Sequence, residues 1–390
     1  MKRSSRVSLK FAARVGAVVC GLVAGEAAAG EAASTWRAPA GEVVAHHGEG
    51  FVVTNDAAGT VRLYEAGVRT LQVAGRPGER GTVRAFGEYA WVTQQRLPGA
   101  PTVALVRRGS GEVVWRRAAP ELTCRPWAED ASCRAEPAEV QVSRGAPRVL
   151  VADAGGPIVV TDARAGRRVC EIPAGPKRRT HVALSDDGER VAVREEGGTI
   201  ALWATSGCTR TARLGPRRLG PAAAVGPSTF GFAGRSLLLR AEAHAWVIDG
   251  DGKVQLHVDD LPADAGSAAL SPGGAYLVAF AAAGAEIRDA RAGTRLASVP
   301  GIAAWNLGDE RFSADGERML MHAEDGAAAV VSLRTGTVAA WLAGGAALTD
   351  DGARVLDVQG GELVTREVAR AGRERRACAR VEGFAAPAGC

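Results

Sequence analysis

Four stretches of this chain, His181–Leu214, Ser267–Val299, Glu310–Leu342 and Ala346–Val381, repeat one grammar. Each opens with a short apolar run and a Ser/Thr-x-Asp/Gly-Gly turn: Ser185 to Gly188, Ser271 to Gly274, Ser313 to Gly316, Thr349 to Gly352. A second apolar run, a Gly-containing turn, an alternating run, another Gly turn and a fourth run follow. Short apolar runs separated by turn chemistry predict a four-stranded antiparallel meander. Weaker copies fill Gly41–Gly75, Thr82–Ala118, Glu139–Ala174 and Thr229–Val258. The residue before the first turn is then His47, Phe86, Ser143, Ser185, Phe232, Ser271, Ser313 or Thr349, and these markers recur at an average of about 43 residues.

A repeat of that size cannot bury either face of its own sheet. Many runs are apolar at successive positions, as in Val182-Ala183-Leu184 and Leu237-Leu238-Leu239, which suits strands packed on both sides. Arranging the sheets radially and closing the ring covers both faces and leaves only short edges. The expected fold is therefore all-β, a β-propeller of eight four-stranded blades, with seven blades as the alternative. A β-solenoid would use shorter repeats without four strands each. Residues 34–44 are a candidate for closing the ring by pairing into the last blade. The longest interval, Phe86 to Ser143, holds an insertion at about 122–136 bracketed by Cys124 and Cys133.

The composition, 46% hydrophobic, 23% charged and with 50 Gly in 390 residues, excludes a disordered tail, a collagen-like fibre and a polytopic membrane protein. Residues 1–29 read as a signal peptide, leaving 30–390 as a single propeller domain. A basic stretch with Lys2, Arg3, Arg6, Lys10 and Arg14 precedes the apolar run Val15–Ala24, and Ala27-Ala28-Ala29 offers a small-residue cleavage site. That segment carries five basic residues and one acid, Glu26. Its removal takes four net positive charges from the formal +5 and leaves +1, which removes the global electrostatic case for nucleic acid. Cys20 offers an alternative, a lipid-anchored mature N-terminus, although Val18 and Val19 stand where lipoprotein leaders have small residues. The expected location is periplasmic or secreted, with no transmembrane segment in the mature chain.

Beyond Cys20 six cysteines remain, an even number that suits an oxidising compartment. Cys124 with Cys133, and Cys378 with Cys390, are attractive local pairs. Cys170 and Cys208 are left, as a third disulfide or as buried thiols.

The repeats resemble bacterial WD-repeat-like propellers. Ser185-Asp186-Asp187-Gly188, Ser271-Pro272-Gly273-Gly274 and Ser313-Ala314-Asp315-Gly316 match the first element of that consensus, and Leu202-Trp203-Ala204, Arg288-Asp289-Ala290 and Thr161-Asp162-Ala163 partly match its Trp-Asp element. The resemblance covers about residues 36–384, without a full Trp-Asp pair or a Gly-His dipeptide, so the His–Asp tetrad of true WD blades is not expected. Gly111 to Trp115 and Asp249 to Leu256 are similar to blades of quinoprotein-like propellers. That second resemblance implies pyrroloquinoline quinone and calcium, but the chain lacks the Cys-Cys dipeptide such enzymes carry.

No nucleophile elbow, His-Glu-x-x-His helix or phosphate loop occurs, so no catalytic residue is assigned. Asp249-Gly250-Asp251-Gly252 with Asp260 hints at calcium, but Lys253 and Val254 replace a needed oxygen ligand and a turn glycine. A hairpin turn is the expected reading. Adjacent His46 and His47 point to opposite faces of a strand, and no metal site or cofactor is assigned. His181, on a first strand near the channel, is a candidate ligand-facing residue. Lys177-Arg178-Arg179 and Arg217-Arg218 fall in connections and, if on one rim, make a patch for an anionic partner. Arg373 to Arg376 is a further basic run. Trp127, on the Cys-bracketed insertion, is a candidate contact residue, whereas Trp115, Trp203, Trp246 and Trp341 are expected to pack between blades.

The functional expectation is an exported binding or scaffolding module, a monomer engaging another protein or an envelope component, without catalysis. The alternatives are a propeller enzyme (a quinoprotein-like oxidoreductase, a hydrolase or a lyase) and a lipoprotein of the outer-membrane-assembly type.

Overall fold

The structure is a computed structural model. It describes residues 35–368 apart from 49–50, 66–67, 96–101, 119–138, 153–154, 228, 263–264, 302–311, 323–327, 343–345, 350–351 and 360–361. The proposed signal segment with Cys20, the loop with Cys124, Trp127 and Cys133, and the tail with Arg373, Arg376, Cys378 and Cys390 lie outside the described residues.

Eight antiparallel sheets follow one another along the chain. Blade I comprises Glu42–Gly48, Phe51–Asp56, Val61–Glu65 and Val68–Val73. Blade II comprises Arg80–Phe86, Tyr89–Gln95, Thr102–Arg107 and Val113–Ala118. Blade III comprises Glu139–Val142, Arg148–Ala152, Ile158–Asp162 and Arg167–Ile172. Blade IV comprises Arg179–Leu184, Arg190–Glu195, Ile200–Ala204 and Thr209–Leu214. Blade V comprises Thr229–Ala233, Ser236–Ala241, His244–Ile248 and Val254–Val258. Blade VI comprises Ser267–Leu270, Tyr276–Ala281, Gly284–Asp289 and Arg295–Pro300. Blade VII has Arg318–His322, Ala328–Ser332 and Val338–Leu342, with a bridge from Phe312 to Met319 on its inner side.

Blade VIII is built from both ends of the described chain. Ala346–Leu348, Arg354–Gln359 and Glu362–Glu367 supply three strands, and Thr35–Arg37 adds the fourth, with Trp36 opposite Leu363. The sequence-based closure is thus realised by Thr35–Arg37 within the expected segment, while Glu42 onward opens blade I. First strands of neighbouring blades approach one another around the axis, including those of blades VIII and I. The eight blades form a closed propeller.

The double-sided apolar strands now have their explanation. On the second strand of blade IV, Val191 and Val193 join a core shared with blade III, whereas the intervening Ala192 joins the core shared with blade V. Alternate side chains leave a strand on opposite faces, and both faces here are dry. Leu237 and Leu239 of blade V likewise face blade IV, and Leu238 faces blade VI.

The first turns share one construction. In blades III, IV, VI, VII and VIII, the hydroxyl of Ser143, Ser185, Ser271, Ser313 or Thr349 accepts the backbone N–H five residues on, at 2.9 to 3.3 Å. The glycine three residues on, in blades IV, VI, VII and VIII, donates its N–H back to the carbonyl of that Ser or Thr. Each turn also packs on its neighbour. A Cβ at Gly316 of blade VII would lie 2.6 Å from the Pro272 carbonyl oxygen of blade VI, and one at Gly352 would lie 3.0 Å from Cβ of Ser313. These glycines, with φ of 71° and 63°, are required both by conformation and by the close approach. The Trp91 indole of blade II adds a cross-blade bond, donating Nε1–H to the Ser143 carbonyl at 3.1 Å.

A second regularity lies in the outer half of the blades. In blades I to VII, the pairing of third and fourth strands slips by one residue, for instance between Leu202 and Trp203 and between Val247 and Ile248. Such bulges increase local twist. Blade VIII, whose outer strand comes from the N-terminal side, has no slip in that pairing.

Candidate functional site

In an antiparallel meander the first and third turns emerge at one end of the blade. The second turns and the connections between blades emerge at the other. The connection face therefore gathers residues 173–178, between blades III and IV, and 215–228, between blades IV and V. Lys177 and Arg178 are exposed on the first connection, and Arg179 begins the following strand, half-buried. On the second, Pro216–Leu219 forms a single helical turn. Leu219 is inserted into the core between blades IV and V, which leaves Arg217 and Arg218 exposed. The two basic runs thus stand on the same face, on successive connections.

His181 lies between them. It is on the first strand of blade IV, paired in register with Arg194 on the second. Its ring stands 5.7 Å from Phe230 of blade V. Arg194 is 2% exposed and is held by oxygens. Nη1 donates to Thr180 Oγ1 at 2.9 Å, and Nη2 donates to the carbonyls of Ala223, Ala224 and Val225 at 3.0, 3.3 and 2.6 Å. The guanidinium thereby caps the 3-10 turn Pro221–Ala224 of the connection. Gly198 makes this fit, since a Cβ there would meet the Ala223 carbonyl oxygen at 2.3 Å.

Two nitrogens are left over. His181 Nδ1 and Arg194 Nε are buried and have no hydrogen-bond partner among the described residues. Burial holds the Arg194 guanidinium below its ordinary pKa. Burial, with the positive charge of Arg194, likewise holds the His181 imidazole below its own. Buried nitrogens without acceptors carry a desolvation cost that an incoming acceptor would relieve.

Two acidic groups on the same face are already engaged. Asp260, between blades V and VI, accepts from Arg288 Nη1 at 2.6 Å, and this hydrogen bond holds its carboxyl below the usual range. Glu286 also accepts from Arg288, at 2.5 Å. At the opposite end of blade V, Asp249 uses its carboxylate on its own turn, accepting from Asp251 N at 3.0 Å and Lys253 N at 2.8 Å, so the Asp-Gly-Asp-Gly segment is the expected hairpin. Among the described residues no group of three or more His, Cys, Asp or Glu side chains is arranged around a common point. His46 and His47 lie on the first strand of blade I. Trp115 and Trp203 pack against cores between blades II and III and between III and IV, Trp246 joins that between IV and V, and Trp341 that between VI and VII.

Cys170, on the fourth strand of blade III, is disulfide-bonded to Cys208, in the last turn of blade IV, with Cα atoms 4.9 Å apart. The pairing that spacing alone left open is a staple between successive blades.

Sequence reasoning missed one pair. His244 and His257 of blade V bring ring nitrogens within 3.2 Å of each other beside Trp246. The signal was hidden by the bulge. Counting back from the Asp249–Gly252 turn places His257 opposite Ala245, but the one-residue slip places it opposite Trp246. That moves its side chain to the other face, where His244 also lies.

No family model matches the chain, and no curated protein matches it in sequence. Solved structures do. A computationally designed protein, Ika8, superposes with a TM-score of 0.53 at 15% identity, over 85% of this chain and 97% of its own. The C-terminal WD40 domain of Sif2 gives 0.54 at 13%, over 81% and 92%. BamB from Moraxella catarrhalis gives 0.50 at 15%, over 86% and 98%. At these identities the likeness is one of fold, and it is to β-propellers of the WD40 and BamB kinds.

Proposed function

We propose that this chain is an exported, non-catalytic binding module, a monomer that engages an acidic protein or another anionic envelope component through its connection face. One observation carries the reading: Lys177, Arg178, Arg217 and Arg218 stand on two successive connections that flank His181 and Arg194, whose buried Nδ1 and Nε lack acceptors among the described residues. A rigid ring that offers connections on one face needs no reacting group to recognise a ligand. The propeller neighbours include a WD40 domain and BamB, which agrees with a binding role. Export is supported by the N-terminal segment's pattern and by the Cys170–Cys208 bond. Among the described residues no helix is long and apolar enough to cross a membrane.

The test is a capture experiment from an envelope fraction. Wild-type protein is compared with a variant carrying Lys177→Glu, Arg178→Glu, Arg217→Glu and Arg218→Glu. A partner retained by the wild type should be lost by the variant, and its binding should weaken as salt rises. Equal capture by both, or capture indifferent to salt, would reject the connection face. Intact mass with and without reduction reports cleavage after Ala29, any acylation of Cys20 and the disulfide count together.

A further inference from the structure

Blade V carries three flat rings on the flank that faces blade IV. Trp246 lies in the middle of the third strand, 1% exposed, within the core that the two blades share. His244 stands two residues before it and His257 is its cross-strand neighbour, so all three side chains leave the sheet on one side. The His257 ring is parallel to the indole within 4° at 5.0 Å, and the His244 ring within 11° at 5.5 Å.

The imidazoles meet each other differently. Their centres are 5.4 Å apart and their planes 12° apart, yet His244 Nδ1 and His257 Nε2 are separated by only 3.2 Å. Nitrogens so much closer than the ring centres mean that the rings lie edge to edge, each turning one nitrogen toward the other. The buried indole is the platform beneath them. His257 is exposed and His244 half-buried, so the facing nitrogens are within reach of solvent ions.

We infer that His244 and His257 form a two-histidine site for a divalent transition metal, with Cu(II) the tightest-binding ion. The geometry fits one shared ion. With metal–nitrogen bonds of about 2.0–2.1 Å, a 3.2 Å separation subtends about 100° at the metal, between the right angle of square-planar and the wider angle of tetrahedral coordination. The ion lies off the line that joins the two nitrogens, so both rings turn toward it on binding to bring their lone pairs to that point. With both rings neutral, a hydrogen bond across this contact places one proton between the nitrogens. On binding, the ring that carries it moves the proton to its own other nitrogen, His244 Nε2 or His257 Nδ1, and both facing lone pairs become ligands. No net proton is released.

The donor set selects the ion. Imidazole nitrogens favour copper, nickel and zinc, and Cu(II) stands highest in the order of divalent affinities; magnesium and calcium require oxygen ligands. Asp259 is close enough to His257 to act on it electrostatically and adds negative charge that favours a cation. Two protein ligands leave the remaining coordination positions to water, so the ion is exchangeable rather than a structural plug.

Calorimetry of the full mature chain with Cu(II), glycine being present as a competing chelator, tests the site. The wild type should bind one ion that His244→Ala and His257→Ala each weaken about a hundredfold, the gain expected from a second ligand held at high effective concentration. A variant carrying His46→Ala and His47→Ala should retain that binding. Electron paramagnetic resonance of the wild-type Cu(II) complex should show two coupled imidazole nitrogens, a readout that stands even where a variant fails to fold. Unchanged affinity in either single variant, or a spectrum with fewer than two imidazoles, would overturn the assignment. A site at the amino terminus would survive both substitutions and would be recognised in that way.

Discussion

Cys208 occupies a left-handed turn position, φ 51°, that glycine holds in four sister blades, and its sulfur is bonded to Cys170 of the preceding blade. The corresponding residues are Gly111, Gly166, Gly293 and Gly336, each at positive φ. An L-residue there costs roughly 1–2 kcal/mol, so the position is unfavourable for cysteine unless the bond holds it. Closing a loop over a sequence separation of 38 stabilises by about 4 kcal/mol in the chain-entropy treatment. Cys170→Ala with Cys208→Ala should lower stability to urea by that order. Cys170→Ala with Cys208→Gly should recover about 1 kcal/mol of it, because glycine accepts the left-handed turn. Equal midpoints for the two double variants would show that the turn is not constrained as described.

The packed first turns make a graded prediction. Gly155 has φ 66° and open space around its Cα, so Gly155→Ala should cost only about 1 kcal/mol. Gly316→Ala adds a Cβ 2.6 Å from the Pro272 carbonyl oxygen and should cost about 1–3 kcal/mol more through overpacking. Urea midpoints of the two variants decide it. Similar losses would mean that the turns of blades VI and VII do not brace each other.

Where blades VIII and I meet, the Trp36 ring lies 5.1 Å from that of Tyr64, over a small core of Val52, Ala347 and Leu356. The Tyr64 hydroxyl donates to Glu42 at 3.0 Å, and Arg62 pairs with Glu42 at 3.4 Å. Trp36→Ala should cost about 2 kcal/mol, below the range for a fully buried Trp because this one is half-exposed. Hydrogen exchange should quicken in Glu362–Glu367 and in blade I while blades III to VI stay protected. A uniform change around the ring would contradict a local clasp.

His181 supplies a pH dependence. Its folded-state pKa lies below the ordinary value because of burial and of the Arg194 charge. The unfolded chain therefore binds the proton more readily. The stability contribution is complete above the unfolded pKa of about 6.5 and is lost as pH falls through the folded value. Urea midpoints measured from about pH 7.5 to 5 should decline less for His181→Gln than for the wild type. Parallel declines would remove His181 from the account.

The blades were legible because their signals are local. Ser185, Ser271 and Ser313 announce a turn by their own hydroxyl chemistry, and residues apolar at every position, such as Val191 to Val193, announce a sheet covered on both sides. The basic connections were legible for the same reason, since Lys177 and Arg217 lie between strands whose order places them at one end. What escaped depended on register and on distant chain. Nothing near Cys170 specifies Cys208 as its partner, which follows only from the stacking of blades III and IV. His257 was hidden by one inserted residue in its hairpin, enough to reverse every side chain beyond it. Arg194 was passed over because its partners are the carbonyls of Ala223 to Val225, which carry no sequence signature.

The clasp of Thr35–Arg37 on Glu362–Val364 imposes an order on assembly. Among the described strands, the one made first is the one used last, since its partner emerges only after every other blade has been synthesised. Until then the outer flank of blade I, with Val52 and Tyr64, has no neighbour and remains open to chance contacts of the nascent chain. Truncation anywhere before Glu362 removes the strand that seats Trp36 over that flank, however many intact blades precede the break.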